Sequence, residues 1–249
     1  MRTTTLFGAA AVLALGSGQA LAGSSAGYVG AAYLNSETEI GGAEVEGDGW
    51  GADGAAAFEL SPDMGLQLGA LFVDDDDSDE NAFSLNGHLN LRNDKRLIGV
   101  FANLTDADDE TLWAFGAEGE LYMSDLTLAG AVSYSSEDED EAWGLDGEAR
   151  YFVTSNFRLE GELGFANFEG GGGGDDSAVS LGAGAEYQFE QTPFSVFAGY
   201  QHAEFDEADL STDAFTIGGR FNFGGSLLDR DRKGASLPGL SSFTGALGV

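Results

Sequence analysis

The chain has no cysteine. Disulfides and thiolate metal sites are therefore excluded, and whatever holds the fold is non-covalent. Proline is almost missing, with 3 against 39 glycines, a balance that suits a β protein with tight turns. Positive charge is scarce: 10 Lys and Arg face 43 Asp and Glu, for a formal net charge of −33. This argues against nucleic acid, whose phosphates need clustered Lys and Arg, and against plain electrostatic attraction to an anionic lipid surface. Nor does the chain hold an uninterrupted apolar run long enough for a spanning helix. Its mean hydropathy of −0.11 is still too apolar for a disordered acidic tail. If it enters a membrane, it does so as strands.

What is present begins with "MRTTTLFGAAAVLALGSGQALAGSS". One Arg, a short apolar stretch from Leu6 to Leu15 and the A-x-A form of Ala20-Leu21-Ala22 read as a secretory signal peptide, residues 1–22, removed after Ala22.

From Gly27 onward the apolar residues recur at every second position. In one segment Phe83, Leu85, Gly87, Leu89 and Leu91 alternate with Ser84, Asn86, His88, Asn90 and Arg92. "FRLEGELGF", "AWGLDGEARY" and "FTIGGRFNF" do the same. A helix needs spacings of three and four, which these segments lack. The pattern predicts about twelve strands, near 27–34, 49–60, 65–73, 82–92, 97–104, 112–122, 126–134, 142–152, 157–168, 178–189, 194–204 and 214–223. Short turns (Ser61–Met64, Asn93–Arg96, Met123–Asp125, Val153–Asn156, Glu190–Pro193) alternate with longer acidic loops. Those loops are Asn35–Asp48, Asp74–Asn81, Thr105–Thr111, Ser135–Glu141, Glu169–Ser177 and Phe205–Asp213. They hold well over half of the acidic residues and none of the Lys and Arg, which, apart from Arg2 in the signal peptide, gather at or beyond the short-turn ends. Each strand thus separates an acidic side from a basic one.

A soluble acidic β-sandwich would share this alternation. Two features favour lipid. Trp50, Trp113 and Trp143 start strands after long loops and share the apolar face, while Phe58, Tyr151, Phe157, Tyr187, Phe189, Phe194, Phe221 and Phe223 hold that face near the short turns. Two aromatic girdles follow. The apolar face is also free of charge through most strand interiors. The expected fold is all-β: a single antiparallel transmembrane β-barrel over residues 23–223, with short periplasmic turns and long acidic extracellular loops.

This arrangement resembles the bacterial outer-membrane β-barrel proteins of the porin-like group, over Gly27 to Phe223. The sharpest motif is the last strand, "TIGGRFNF", where Thr216, Gly218, Phe221 and Phe223 fit that group's insertion signal. The resemblance implies an outer-membrane location and recognition of this strand by the barrel-assembly machinery. The chain departs from the group by continuing through residues 224–249, which read as a periplasmic extension, with a plug or partner-binding segment as the alternative.

Inside such a barrel, with a backbone diameter on the order of 24 Å, the polar face presents Asp53, Glu59, His88, Arg92, Glu118, Glu120, Asp146, Glu148, Arg150, Arg158, Glu160, Glu162, Glu186 and Arg220. Acid exceeds base, so an open lumen should prefer cations; cross-strand ion pairs closing the interior are the competing reading. Asp74, Asp75, Asp76, Asp77, Asp79 and Glu80 are weak candidates for loosely bound Ca²⁺ or Mg²⁺, since they lack EF-hand spacing. No other cofactor is expected. The two histidines, His88 and His202, fall in no catalytic motif, and the chain is not expected to be an enzyme. The expected function is passive diffusion of small hydrophilic solutes, cations above all. The alternative is a closed structural or surface-interaction barrel whose acidic loops bridge to lipopolysaccharide through divalent cations. Membrane lipid and lipopolysaccharide, the assembly machinery and small solutes are the expected partners; nucleic acid is not.

Overall fold

The structure, a computed structural model, describes residues 25–75, 81–107, 110–137, 140–170, 174–206, 210–234 and 236–237. The expected signal peptide lies outside these residues. Twelve strands appear in chain order: β1 (Ser25–Ile40), β2 (Ala43–Ser61), β3 (Met64–Asp75), β4 (Asn81–Asn93), β5 (Arg96–Ala107) and β6 (Glu110–Tyr122). The second half holds β7 (Leu126–Glu137), β8 (Asp140–Thr154), β9 (Phe157–Gly170), β10 (Gly174–Gln188), β11 (Phe194–Phe205) and β12 (Leu210–Phe223). Each pairs antiparallel with its sequence neighbours, and β1 closes on β12 from Gly27↔Phe223 to Ile40↔Leu210. Closure leaves no edge, so the backbone amides pair within the sheet, as hydrocarbon surroundings require.

The alternation sorts side chains to two sides of this wall. Along β5, Ile98 and Val100 are each 57% exposed on the outer surface, while Leu97 beside them is fully buried inside. On β12 Ile217 is 63% exposed outside, and Asn222 is buried within. A continuous apolar exterior of this kind is incompatible with water and matches a lipid-facing belt. Both girdles are present. Phe194 meets Phe221 edge-on at 5.5 Å and Phe157 meets Tyr187 at 6.3 Å near the short turns. At the other end Trp143 packs on Phe165 at 5.2 Å, and its indole N–H donates to Asn167 at 3.1 Å. An apolar ring with a polar handle suits an interface.

The short turns fall where the sequence places them. The long-loop ends differ. β1 and β2 run on to Ile40 and Ala43, so that Asn35–Asp48, expected as a loop, is mostly paired strand. Gly41 (φ +57°) and Gly42 (φ +84°) make its tip, the left-handed pair that a two-residue hairpin turn demands. The other hairpins also extend past the expected limits, β7 to Glu137 and β9 to Gly170. Backbone pairing continues into water where apolar alternation, needed only at lipid depth, has stopped.

Inside, the barrel is asymmetric. Its β1–β6 half is filled: Ala32, Leu34, Leu71, Val73 and Ala82 form a buried apolar cluster that Phe197 of β11 reaches from across the closing seam. Gly218 makes room for that ring; a Cβ there would stand 2.5 Å from Phe197 Cζ and collide with the Ala31 carbonyl oxygen. Beyond β12 the chain turns back, through Gly224 and Gly225, into a short helix α1 (Leu227–Arg232).

Candidate functional site

The inward residues on β8 and β9 stand opposite one another in rows: Glu148 faces Glu162, Arg150 faces Glu160, and Phe152 faces Arg158. Arg158 in turn faces Glu186 on β10. Beside them, Gly182 and Gly184 leave room that the Glu162 and Glu160 side chains occupy, and the lumen opens into a cavity of about 240 Å³, room for several waters. Asp146, Glu148, Glu160 and Glu162 line it, with Ser180 beside them on β10 and Thr216 on β12. Among the described residues, no Lys or Arg comes within ion-pair distance of Asp146 or Glu162.

Toward the short turns the cavity ends on two buried ion clusters of opposite sense. At one, the Arg150 guanidinium donates to Glu120 and meets Glu148 at 3.3 Å and Asp231 at 2.5 Å. At the other, the Glu186 carboxylate is ringed by Arg158 at 3.2 Å, Arg220 at 3.2 Å and Arg230 at 3.1 Å, and accepts from the Ser195 hydroxyl at 2.7 Å. Arg220 also pairs with Asp53 at 2.7 Å and lies over the rings of Phe197 at 4.2 Å and Tyr28 at 4.4 Å. One centre is a cation among three anions, the other an anion among three cations. In each, the third partner comes from α1.

That helix crosses the short-turn mouth. Ser226 caps it, accepting from the Asp229 N–H at 3.1 Å while the Asp229 carboxylate accepts back from the Ser226 N–H at 3.0 Å, a reciprocal capping box. Hydrogen bonds from the Ser226 hydroxyl and amide hold the Asp229 carboxyl below its ordinary pKa of 3.8. Asp231, fully buried, also accepts from Thr127 at 2.7 Å. Arg232 donates to the Met123 carbonyl at 2.7 Å and lies over Tyr122 at 4.7 Å. The Leu228 N–H reaches the Ser155 carbonyl in the β8–β9 turn at 3.0 Å. At the far wall a Cβ on Gly234 would stand 3.1 Å from Arg92 Nη1.

The sequence-predicted lumen residues all point inward, but they do not form one pore lining. Asp146, Glu148, Arg158, Glu160, Glu162 and Arg220 border the cavity. His88, Glu118 and Glu120 are instead buried away from it, Glu120 within the Arg150 cluster. His88 pairs with Glu118 at 2.9 Å and stacks on Phe101 at 5.6 Å. Arg150, Glu186 and Asp53 are buried within the ion clusters, and Glu59 sits at the rim, its side chain 46% exposed, 3.7 Å from Arg92. In the insertion motif Thr216 and Gly218 face inward, while Phe221 is exposed outside with Phe223 on the same side. Of the metal candidates, Asp74 accepts from the Trp50 indole at 3.1 Å; the side chain of Asp75 and all of Asp76, Asp77, Asp79 and Glu80 lie outside what is described. Among the described residues no cluster of His, Asp and Glu is arranged to hold a metal ion. Sequence reasoning missed Tyr28, Arg230 and Asp231. The last two were signalled by Ser226-x-x-Asp229, a helix start in the tail.

No family model matches the chain, and no curated protein proves similar to it. Solved structures do. The NanC porin superposes with a TM-score of 0.58 at 10% identity, covering 78% of this chain and 100% of its own. The KdgM porin, in complex with disordered oligogalacturonate, gives 0.54 at 11%, covering 78% and 99%. The fold is that of an outer-membrane β-barrel. The translocator domain of the autotransporter NalP from Neisseria meningitidis shares the barrel too, at 0.51 and 15% identity over 88% of this chain and 95% of that one. Identities this low speak for the architecture alone.

Proposed function

We propose that this barrel is an outer-membrane channel for small hydrophilic solutes, with a preference for cations, and not an enzyme. The observation that carries the reading is the cavity wall: Asp146 and Glu162 face the lumen with no Lys or Arg at ion-pair distance among the described residues, beside Glu148 and Glu160, which pair with Arg150 and Arg158, while Arg220 at the floor is shared between Asp53 and Glu186. Fixed carboxylates in a low-dielectric lumen raise the local concentration of cations and repel anions. A polyanion such as the oligogalacturonate of the KdgM complex would meet the wrong sign of charge here. His88 is held between Glu118 and Phe101, as a structural histidine is.

A second reading has its own support. With α1 across the short-turn mouth the barrel is stopped at one end, as a closed structural or surface-interaction barrel would be. Planar bilayers separate the two. Reversal potentials across a KCl gradient should favour K⁺, and Asp146→Asn with Glu162→Gln should reduce the K⁺/Cl⁻ permeability ratio by about twofold or more. Unchanged selectivity in a folded, conducting variant refutes the assignment of this wall.

A further inference from the structure

We propose that the tail, residues 226–234 with Ser236 and Leu237, is a displaceable gate. It is a stopper tethered to β12 that binds the lumen wall through Arg230 and Asp231 and leaves it to open the channel. The proposal rests on the channel reading above and supplies its regulation.

Position comes first. The tail leaves β12, passes the β8–β9 turn at Ser155, the β6–β7 turn at Met123 and the wall at Thr127 and Arg150, comes up to Arg92 and Leu97 on β4 and β5 at Gly234, and returns to Arg150 at Ser236. It therefore spans the mouth from one wall nearly to the opposite one. Arg230 and Leu237 also form part of the cavity floor, so the seated tail stands in the path of solute.

The second argument concerns what departure leaves behind. Stripping a partner from a buried ion is costly because a lone charge remains in a poorly solvated place. Here it does not remain. Without Asp231, Arg150 keeps Glu120 and Glu148; without Arg230, Glu186 keeps Arg158, Arg220 and Ser195. The charges of the wall are paired in both states; its neutral groups Asn222 and Thr127 give up their tail partners, and the charges left without a partner are on the tail and return to water. The consecutive residues Arg230 and Asp231 thus read as a detachable double peg, of opposite signs, fitting two sockets that are stable when empty.

The third argument is the tail's own build. Its described apolar anchors are few, chiefly Leu227 and Leu237, both buried. It is hinged at Gly224 (φ +94°) and Gly225 (φ +128°), conformations that only glycine adopts freely. Six residues of helix do not persist alone in water. Release accordingly regains chain entropy and melts α1, which offsets part of the lost binding.

The test compares three forms of the mature protein in planar bilayers: the full chain, a chain ending at Gly225, and Arg230→Gln/Asp231→Asn. The full chain should be closed most of the time. The truncated chain should stay open, and the double variant should open about tenfold or more often, the factor expected for losing one charge-assisted hydrogen bond. A second readout needs no conductance. The chain lacks cysteine, so Leu227→Cys gives one thiol, whose labelling by a membrane-impermeant maleimide follows unseating. The double variant should label about tenfold faster. Equal, non-zero conductance of the full and truncated chains overturns the gate, as does a labelling rate the double variant leaves unchanged. If the truncated chain fails to fold, labelling of the double variant decides. Open steps without cation preference sink the selectivity reading and leave the gate standing. Silence from a folded truncated barrel, with labelling accelerated as expected, sinks the channel itself.

Discussion

Arg150→Met should be the most damaging single change at the lumen floor, and its cost can be worked from its neighbours. The guanidinium is fully buried and serves Glu120, Glu148, Asp231 and the Ser236 carbonyl. Methionine fills much of the volume but removes the cation. Leaving a buried charge unpaired costs about 3–5 kcal/mol. Asp231 escapes part of that penalty by leaving with the tail, and Glu148 borders the cavity, where water reaches it. Glu120 has neither relief: its side chain is wholly buried, with the Tyr122 hydroxyl at 2.6 Å as its remaining donor. The lower end, about 3 kcal/mol, is therefore expected, a shift on the order of a hundredfold in the folding equilibrium. Arg150→Lys keeps the charge but cannot reach three carboxylates from one fork, and should cost about 1–2 kcal/mol. Urea unfolding in lipid vesicles, followed through Trp50, Trp113 and Trp143 at the membrane face, measures both. Adding Glu120→Gln to Arg150→Met should recover about 1 kcal/mol or more. A loss below about 1 kcal/mol, or no recovery, would show that the cluster does not hold the wall in the way described.

Two further outcomes test other links. Leu163→Arg, on the outer face near the middle of β9, should cost about 2–4 kcal/mol in lipid vesicles; a neutral effect would mean that face does not meet hydrocarbon. The capping box carries a pH signature. Because folding depresses the Asp229 pKa, its contribution to seating α1 is complete above the unfolded value near 4 and is lost as pH falls through the lower folded value. Maleimide labelling of the Leu227→Cys variant should hence be flat from pH 7 to about 5 and rise in strong acid, after correction for the thiol's own reactivity. Asp229→Asn should flatten that rise; a rise centred near neutrality would point to another group.

The strands were legible because burial differs between the two faces of each one. Thus Leu85, Leu89 and Leu91 read correctly as outward and Ser84, His88 and Asn90 as inward, and Asn93–Arg96 reads as a turn. Legibility failed where that difference vanishes. Above lipid depth, Glu37 pairs with Glu46 and Glu39 with Glu44 across β1 and β2, and a strand whose outer face carries acid in place of apolar residues looks like a loop; only Gly41-Gly42 signalled the hairpin. Period alone also could not say which half of the lumen is packed. "RLIGVFANL" on β5 carried a clue, since Leu97 and Phe101 are apolar on the inward parity, a wall that turns hydrophobic toward its own interior. The pegs Arg230 and Asp231 were invisible to strand reasoning, because they belong to a helix whose partners lie 44 and 81 residues earlier.

The tail's place in chain order fixes when it can act. It follows β12, the strand whose pairing with β1 seals the cylinder, so its two pegs leave the ribosome only after every strand that carries their sockets. Until α1 seats, Arg150 and Glu186 rely on their neighbours in the sheet alone.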